Sequence, residues 1–425
     1  MGVFENAKKH ETRMAFMESR EKKKKYNLDT ISDMEAYIMS DECVRDIERL
    51  ENGDFFLDPP LYRLVPKNFQ DRKRAVYRLL GTQDYLMKLI VYSMSGIEKS
   101  YSDRLFSFRT DKTGTDLLNE AREADLKNMY VLKTDISNYV GSIVPELIVP
   151  MFEEIYMPDD PEFFRFVEWL LTRNKAIDRD GNVIDHCPGG MGGVPIGNIC
   201  MNLYLHEMDD YFAPRAAFYS RYSDDLLICS YSFDEIKEFE KKFYEFLDHL
   251  RLKTNKEKTE VLVPGEAFDL LGMELSDGRI GVSRHSMNKV KRKIRMYANK
   301  ALLNRNRGLM TPDEAAKDFL IRFNRFFFGV EGSGNLLSWA KWAFPVITDT
   351  KSLEELDHYI QDSMRYILYG SMKKRKMTVP YEKLSELGYR SIVYYYHHQD
   401  RLREIPKEFE HSAFLYRNRK KAGRR

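Results

Sequence analysis

Hydrophobic positions change their spacing several times along this chain, and each change marks an element. The first fifty residues scatter apolar positions among many charges, with Lys22-Lys23-Lys24-Lys25 as a basic cluster, and predict a charged helical lead-in. Residues 55–125 show a mixed pattern, with a basic segment running from Arg63-Leu64-Val65-Pro66-Lys67 to Arg72-Lys73-Arg74. Tyr130-Val131-Leu132-Lys133-Thr134-Asp135-Ile136 is a short apolar run ending on a carboxylate, which predicts a buried strand. Mostly helical spacing follows to about Asn174, where the turn-forming Asp178-Arg179-Asp180-Gly181-Asn182 breaks it. The glycine cluster Gly189-Gly190-Met191-Gly192-Gly193 leads into a helical run through Tyr211. Residues 217–221 and 226–230 are β-like and flank Tyr222-Ser223-Asp224-Asp225, which predicts a hairpin. Ser232 and Glu235 have capping-box spacing, and Ile236, Phe239, Phe243, Phe246, Leu247 and Leu250 then share one helix face. A strand is predicted over 259–263, then a hairpin of 268–275 with 279–282 turned by Asp277-Gly278. Beyond Val282 the chain reads as helical, with an apolar, aromatic stretch over 337–369 and a basic end at Lys373-Lys374-Arg375-Lys376.

The order strand, helix, β-hairpin, helix, strand is a split βαβ arrangement within an α+β fold. It brings the end of the first strand to the hairpin tip, so Asp135 is expected beside Asp224 although they are 89 positions apart (224 − 135). A chain of 425 residues exceeds one compact core and implies two or three lobes. No apolar run reaches the roughly 18 residues of a membrane span, and the first residues lack an apolar signal core. Cys43, Cys187, Cys200 and Cys229 stand too far apart for a zinc knuckle or a disulfide framework, so a reduced, cytoplasmic protein is expected.

The net charge of +2 conceals polarity. Arg284, Lys289, Lys291, Arg292, Lys293, Arg295, Lys300, Arg305 and Arg307 follow one another with no acidic residue between them. Arg417, Arg419, Lys420, Lys421, Arg424 and Arg425 form a second unopposed stretch. Such stretches attract phosphate backbones and release counterions on binding.

Three carboxylates at a strand end and a hairpin tip suit magnesium, which takes hard oxygen ligands and shares its octahedron with substrate phosphates. Two such ions about 4 Å apart stabilise both oxygens of an in-line phosphoryl displacement. Asp-Asp pairs also occur at Asp159-Asp160 and Asp209-Asp210, but only Asp224-Asp225 sits in an aromatic-led turn between apolar strands. Adjacent acids there repel each other, and a bound cation explains their presence.

These residues carry a resemblance. Tyr222-Ser223-Asp224-Asp225 resembles the YxDD box of reverse transcriptases, and Asp135-Ile136-Ser137-Asn138-Tyr139 with Ser142-Ile143 resembles the family's first catalytic motif. Gly193-Val194-Pro195-Ile196-Gly197-Asn198 with Asn202-Leu203-Tyr204-Leu205 is similar to the template and nucleotide motif. Asn255-Lys256-Glu257-Lys258-Thr259 is similar to the N-x-x-K-T box, and Phe268-Asp269-Leu270-Leu271-Gly272 to the primer grip. The resemblance implies a right hand: N-terminal helices and fingers over 1–125, a ferredoxin-like palm over 126–283 with fingers elements within 150–195, and a helical thumb with a basic tail over 284–425. It implies Asp135, Asp224, Asp225 and the Ile136 carbonyl as ligands of two Mg²⁺ ions, replaceable by Mn²⁺, and Lys258 as the proton donor to departing pyrophosphate. Lys67, Arg74 and Arg109 correspond to cations on the incoming triphosphate, and Ile136, Tyr139, Val140, Pro195, Gly197 and Asn198 to the nucleotide's surroundings. Nucleic-acid contacts fall on Tyr222, Leu271, Gly272, Lys289, Arg292, Lys293 and Arg295. Implied partners are an RNA template, dNTPs and a cDNA product.

Departures narrow the resemblance. Val140 stands where a bulky ring excludes the ribose 2′-hydroxyl, unless Tyr139 takes that role. Ile196 replaces a common Gln, the retron N-A-x-x-H and V-T-G features are absent, and no Cys/His-rich endonuclease module follows the thumb. The chain is therefore expected to be akin to unknown-group or defence-associated bacterial enzymes, some of which copy a companion structured non-coding RNA. An intron-derived maturase without endonuclease and an RNA-directed RNA polymerase are the alternatives.

Overall fold

The computed structural model describes residues 2–22, 28–66, 73–187, 189–255, 259–329, 338–370, 379–403 and 405. It divides into two compact units, Met1–Glu266 and Ala267–Arg425. The described strands are β1 (Leu61–Pro66), β2 (Lys73–Arg78), β3 (Tyr130–Asp135), β4 (Lys175–Ile177), β5 (Val183–Asp185), β6 (Phe218–Tyr222), β7 (Asp225–Ser230), β8 (Glu260–Leu262), β9 (Phe268–Leu270), β10 (Met273–Ser276) and β11 (Arg279–Val282).

In the first unit, four strands form an antiparallel sheet in the order β6-β7-β3-β8. Helices lie in both split connections, so this is the ferredoxin-like βαββαβ topology expected of the palm. Every residue of β7 from Leu226 to Ser230 is buried, which is why that strand reads as a continuous apolar run and lacks alternation. The helix Phe233–His249 covers the sheet with Ile236, Phe239, Phe243 and Leu247. Ser232 caps it by accepting from the Glu235 amide, but the reciprocal half of the expected capping box is missing, because the Glu235 carboxylate accepts from Ser230 Oγ instead.

The same unit holds a second sheet, β2-β1-β4-β5. The mixed pattern of 55–125 concealed the hairpin β1–β2 and the helices Gly81–Ser93 and Gly114–Glu123. Asp178 does form a turn, accepting from the Asp180 and Asn182 amides, and that turn joins β4 to β5. The charged lead-in is docked by a few apolar residues: Phe4 meets the Phe163 and Phe166 rings edge-on at 5.5 and 5.7 Å, and Phe16 is fully buried.

In the second unit, residues expected to form one strand over 268–275 fold into two. Leu271 and Gly272 have φ of 50° and 83°, a tight turn that makes β9-β10-β11 a three-stranded meander. This meander belongs with the C-terminal helices, since Ile280 and Val282 donate their amides to Thr348 and Ser352 hydroxyls at 2.8 and 3.2 Å. The helix Arg284–Asn306 buries Met287, Val290, Ile294, Ala298 and Ala301, spaced three and four apart, while Lys289, Arg292 and Arg295 stay exposed. Among the described residues no helix is long and apolar enough to cross a membrane.

Candidate active site

Backbone pairing joins the acids that sequence separates. Asp135 closes β3 and Asp225 opens β7, and the two are register partners. Such partners have Cα atoms about 4.5–5.5 Å apart, with side chains on one face. Tyr222 pairs with Asp225, leaving Ser223 and Asp224 as the two central residues of the turn. Only Ser223 of these two has positive φ, at 60°, a conformation that hairpins usually give to glycine at this position. All three aspartates are half-buried.

Asp135 is braced from the segment leading to β8. Asn255 donates from Nδ2 to Asp135 Oδ2 at 3.3 Å, and its amide donates to the Asp135 carbonyl at 2.8 Å. Ser137 donates its amide to the Lys253 carbonyl at 2.7 Å, so the backbone on both sides of Ile136 is held. Among the described residues no group of three or more acidic, histidine or cysteine side chains is gathered into a metal cage. The three aspartates therefore share a neighbourhood through backbone register. Carboxylates carried by a strand end and the adjoining turn supply the hard oxygen donors that a magnesium-like ion takes.

Beneath the turn lies a layer that the sequence reading passed over. Arg221 is fully buried and forms a bidentate pair with Asp209, which also accepts from Tyr219 Oη at 2.6 Å. Burial alone would lower the Arg221 pKa, but the Asp209 charge and hydrogen bonds raise it above the ordinary range. Asp209-Asp210 is thus a structural acid plus a surface one. The signal available in sequence was an arginine within the apolar strand that precedes the turn; its partner, 12 positions earlier, had none.

Tyr139 does not take the sugar-facing role. It is buried, donates its hydroxyl to the Met201 carbonyl, and burial pushes its phenol well above the ordinary range, so it stays a neutral donor within the core. Val140 is half-buried against the glycine loop, and its carbonyl accepts from Gly190 at 2.8 Å. That loop is glycine-rich because backbones meet there. A Cβ on Gly197 would stand 2.5 Å from the Gly190 carbonyl oxygen, and one on Gly193, which has φ of 107°, would stand 2.5 Å from that of Tyr77. Gly197 is consequently buried, Pro195 is half-buried, and Asn198 is exposed on the first turn of the helix Gly197–Leu203.

Arg109 differs from its expected place on a triphosphate. Its side chain is 5% exposed, pairs with Asp111 through Nε and Nη2 at 2.8 and 2.7 Å, and donates to the Ser102 carbonyl, which makes it a loop brace. Arg74 is exposed on β2, while Lys67 and Lys258 lie outside the described residues. Tyr222 is half-buried. In the second unit Leu271 and Gly272 form the β9–β10 turn, Lys293 is half-buried, and Arg295 donates to Tyr359 Oη at 3.3 Å.

Residues 66–275, spanning both aspartate motifs, match the family described as reverse transcriptase (RNA-dependent DNA polymerase). The chain carries a reverse transcriptase domain. A curated relative, the Retron Ec86 reverse transcriptase of Escherichia coli, is 20% identical over 239 residues, covering 55% of this chain and 68% of that protein. Similar solved structures include apo telomerase from Candida tropicalis (12% identity, TM-score 0.46) and telomerase from Candida albicans with a fragment of telomeric RNA (11%, TM-score 0.42). The first alignment covers 79% of this chain and 60% of that one; the second covers 83% and 66%. The chain carrying this reverse transcriptase domain thus spans less than two thirds of the length of those telomerases.

Proposed function

We propose that the chain is an RNA-directed DNA polymerase whose acids Asp135, Asp224 and Asp225 hold two magnesium ions. The observation that carries this reading is the register pairing of Asp135 with Asp225 inside the matched reverse transcriptase domain. Bound divalent ions supply charge neutralisation at the transferring phosphoryl group. Asp135, Asp224, Asp225 and the Ile136 carbonyl would hold them. Asn255 orients Asp135, and the buried sheet beneath fixes where β3 and β7 end. Lys67, Arg74 and Lys258 are proposed to meet the triphosphate and pyrophosphate by charge-assisted contacts. The template we propose is a companion structured RNA in bacterial anti-phage defence within the cytoplasm, a setting that rests on the motif resemblance and the retron relative.

Primer extension on an RNA template with dNTPs tests the activity. The double substitution Asp224→Ala with Asp225→Ala is expected to reduce synthesis to background while RNA binding persists. Polymerisation by that variant would refute the assignment of the acids. One observation favours a second reading, an RNA-directed RNA polymerase: Tyr139 is locked in the core, so its ring does not stand in for the one missing at Val140. We expect DNA synthesis with weak exclusion of ribonucleotides, sharpened by Val140→Tyr. Extension by rNTPs alone would turn the assignment to the second reading.

A further inference from the structure

The charged layer under the aspartate turn exceeds what holding a sheet together requires. Arg221 has five N–H donors, and its Nε, Nη1 and Nη2 atoms reach five acceptor contacts. Two are the Asp209 oxygens; the others are the carbonyls of Asn202 at 2.9 Å, Met201 at 3.4 Å and Ser223 at 3.5 Å. A buried ion pair is a weak stabiliser, because desolvation offsets the attraction, and apolar residues of similar volume often hold a fold equally well. An apolar pair cannot, however, grip named carbonyls.

The gripped residue is the strained one. Ser223 combines a non-glycine side chain with φ of 60°. Its amide donates to Ser107 Oγ at 2.9 Å, and its carbonyl accepts from Arg221 Nη1. Ser107 is itself fixed, donating from Oγ to Asn202 Oδ1 at 3.1 Å while its carbonyl accepts from Asn202 Nδ2 at 2.9 Å. The Arg221 and Ser107 contacts therefore meet at Asn202 and close a ring around the turn. The Arg221 backbone adds two further ties, accepting from Phe106 and donating to the Arg104 carbonyl, each at 2.9 Å.

We propose that Arg221, locked by Asp209, and Ser107 are positioning residues that hold Ser223 in its left-handed conformation and so set Asp224 and Asp225 against Asp135. This rests on the reading of the three aspartates as the metal-holding site, and it adds residues that touch neither metal nor substrate. Strain at Ser223 would otherwise relax by peptide rotation, and that rotation displaces the adjoining aspartate. A misplacement of about 1 Å in a catalytic group is enough to cost on the order of a hundredfold in rate.

The test compares the full chain with three variants: Ser107→Ala, Arg221→Lys, and the charge-free pair Arg221→Met with Asp209→Leu. The readouts are primer extension across a Mg²⁺ titration, Mn²⁺ affinity by electron paramagnetic resonance, and thermal melting. The charge-free pair is expected to melt cooperatively, yet to lose on the order of a hundredfold in kcat. It should also need more Mg²⁺ and bind Mn²⁺ more weakly, with KM for dNTP little changed. Ser107→Ala should shift the same quantities in the same direction by about tenfold, and Arg221→Lys should recover part of the loss. A folded charge-free pair with wild-type kcat and Mn²⁺ affinity overturns the proposal, as does Ser107→Ala with both unchanged. Should the charge-free pair not fold, Ser107→Ala and Arg221→Lys decide on the same readouts. If the wild-type chain binds Mn²⁺ through Asp224 but makes no DNA, the polymerase reading falls, and the Mn²⁺ affinities still judge the positioning claim.

Discussion

Asn255 reaches Asp135 with both its side chain and its amide, at 3.3 and 2.8 Å, so one residue fixes the orientation of a carboxylate and the backbone that carries it. Groups that orient a metal ligand typically affect activity by about 10- to 100-fold. Asn255→Ala is accordingly expected to lower kcat by about tenfold with template affinity unchanged, measured by steady-state primer extension beside filter binding. Equal loss of both would assign Asn255 to folding instead. The charge at Arg221 obeys a different logic. Removing Asp209 alone strands a buried guanidinium, which costs about 3–5 kcal/mol, so a substitution that strips one charge of the pair reports stability, whereas the charge-keeping Arg221→Lys and the charge-free pair report function. The asparagine of the N-x-x-K-T box and the arginine before Tyr222 were visible as letters. Their partners were not, because each bond closes a loop whose length follows from the fold.

At the scale of elements, the β9–β10 turn is the place where local preference and observed structure disagree. A two-residue turn with positive φ at both centres favours Asn-Gly or Asp-Gly, and here the first centre is Leu271 at φ of 50°. A left-handed leucine costs about 1–2 kcal/mol, and such strain persists where it serves a site. Leu271→Asn should therefore raise the stability of the second unit by about 1 kcal/mol in urea unfolding, while weakening extension from a primer. Gain without loss would remove Leu271 from the proposed primer contacts. The strand boundary at this turn escaped the sequence reading because leucine carries no turn signal. At Asp277-Gly278 the reading succeeded for the opposite reason: residues that tolerate φ of 49° and 72° announce themselves.

For the whole molecule, charge governs how nucleic acid is held. The helix Arg284–Asn306 buries one apolar face and exposes Lys289, Arg292 and Arg295 on others. Each cation that neutralises a phosphate adds about 0.9 to the slope of log affinity against log salt. Replacing Lys289 and Arg292 by Gln should flatten that slope by about 2 for a template–primer duplex, read from fluorescence anisotropy between low and moderate salt. An unchanged slope would mean that this face is only solvated.

The periodicity of the chain, by itself, determined the palm: an apolar run ending in Asp135, a turn carrying Asp224-Asp225, and a helix with one apolar face are local patterns, and local patterns survive in one dimension. The order of charged residues likewise determined the polarity of charge. Tertiary structure alone decided that Asp209 neutralises Arg221, that Asn255 holds Asp135, that Tyr139 faces the core, and that Arg109 braces a loop. Each of these depends on which distant backbone arrives beside a side chain, and burial then sets whether a charge must be paired or a phenol stays neutral.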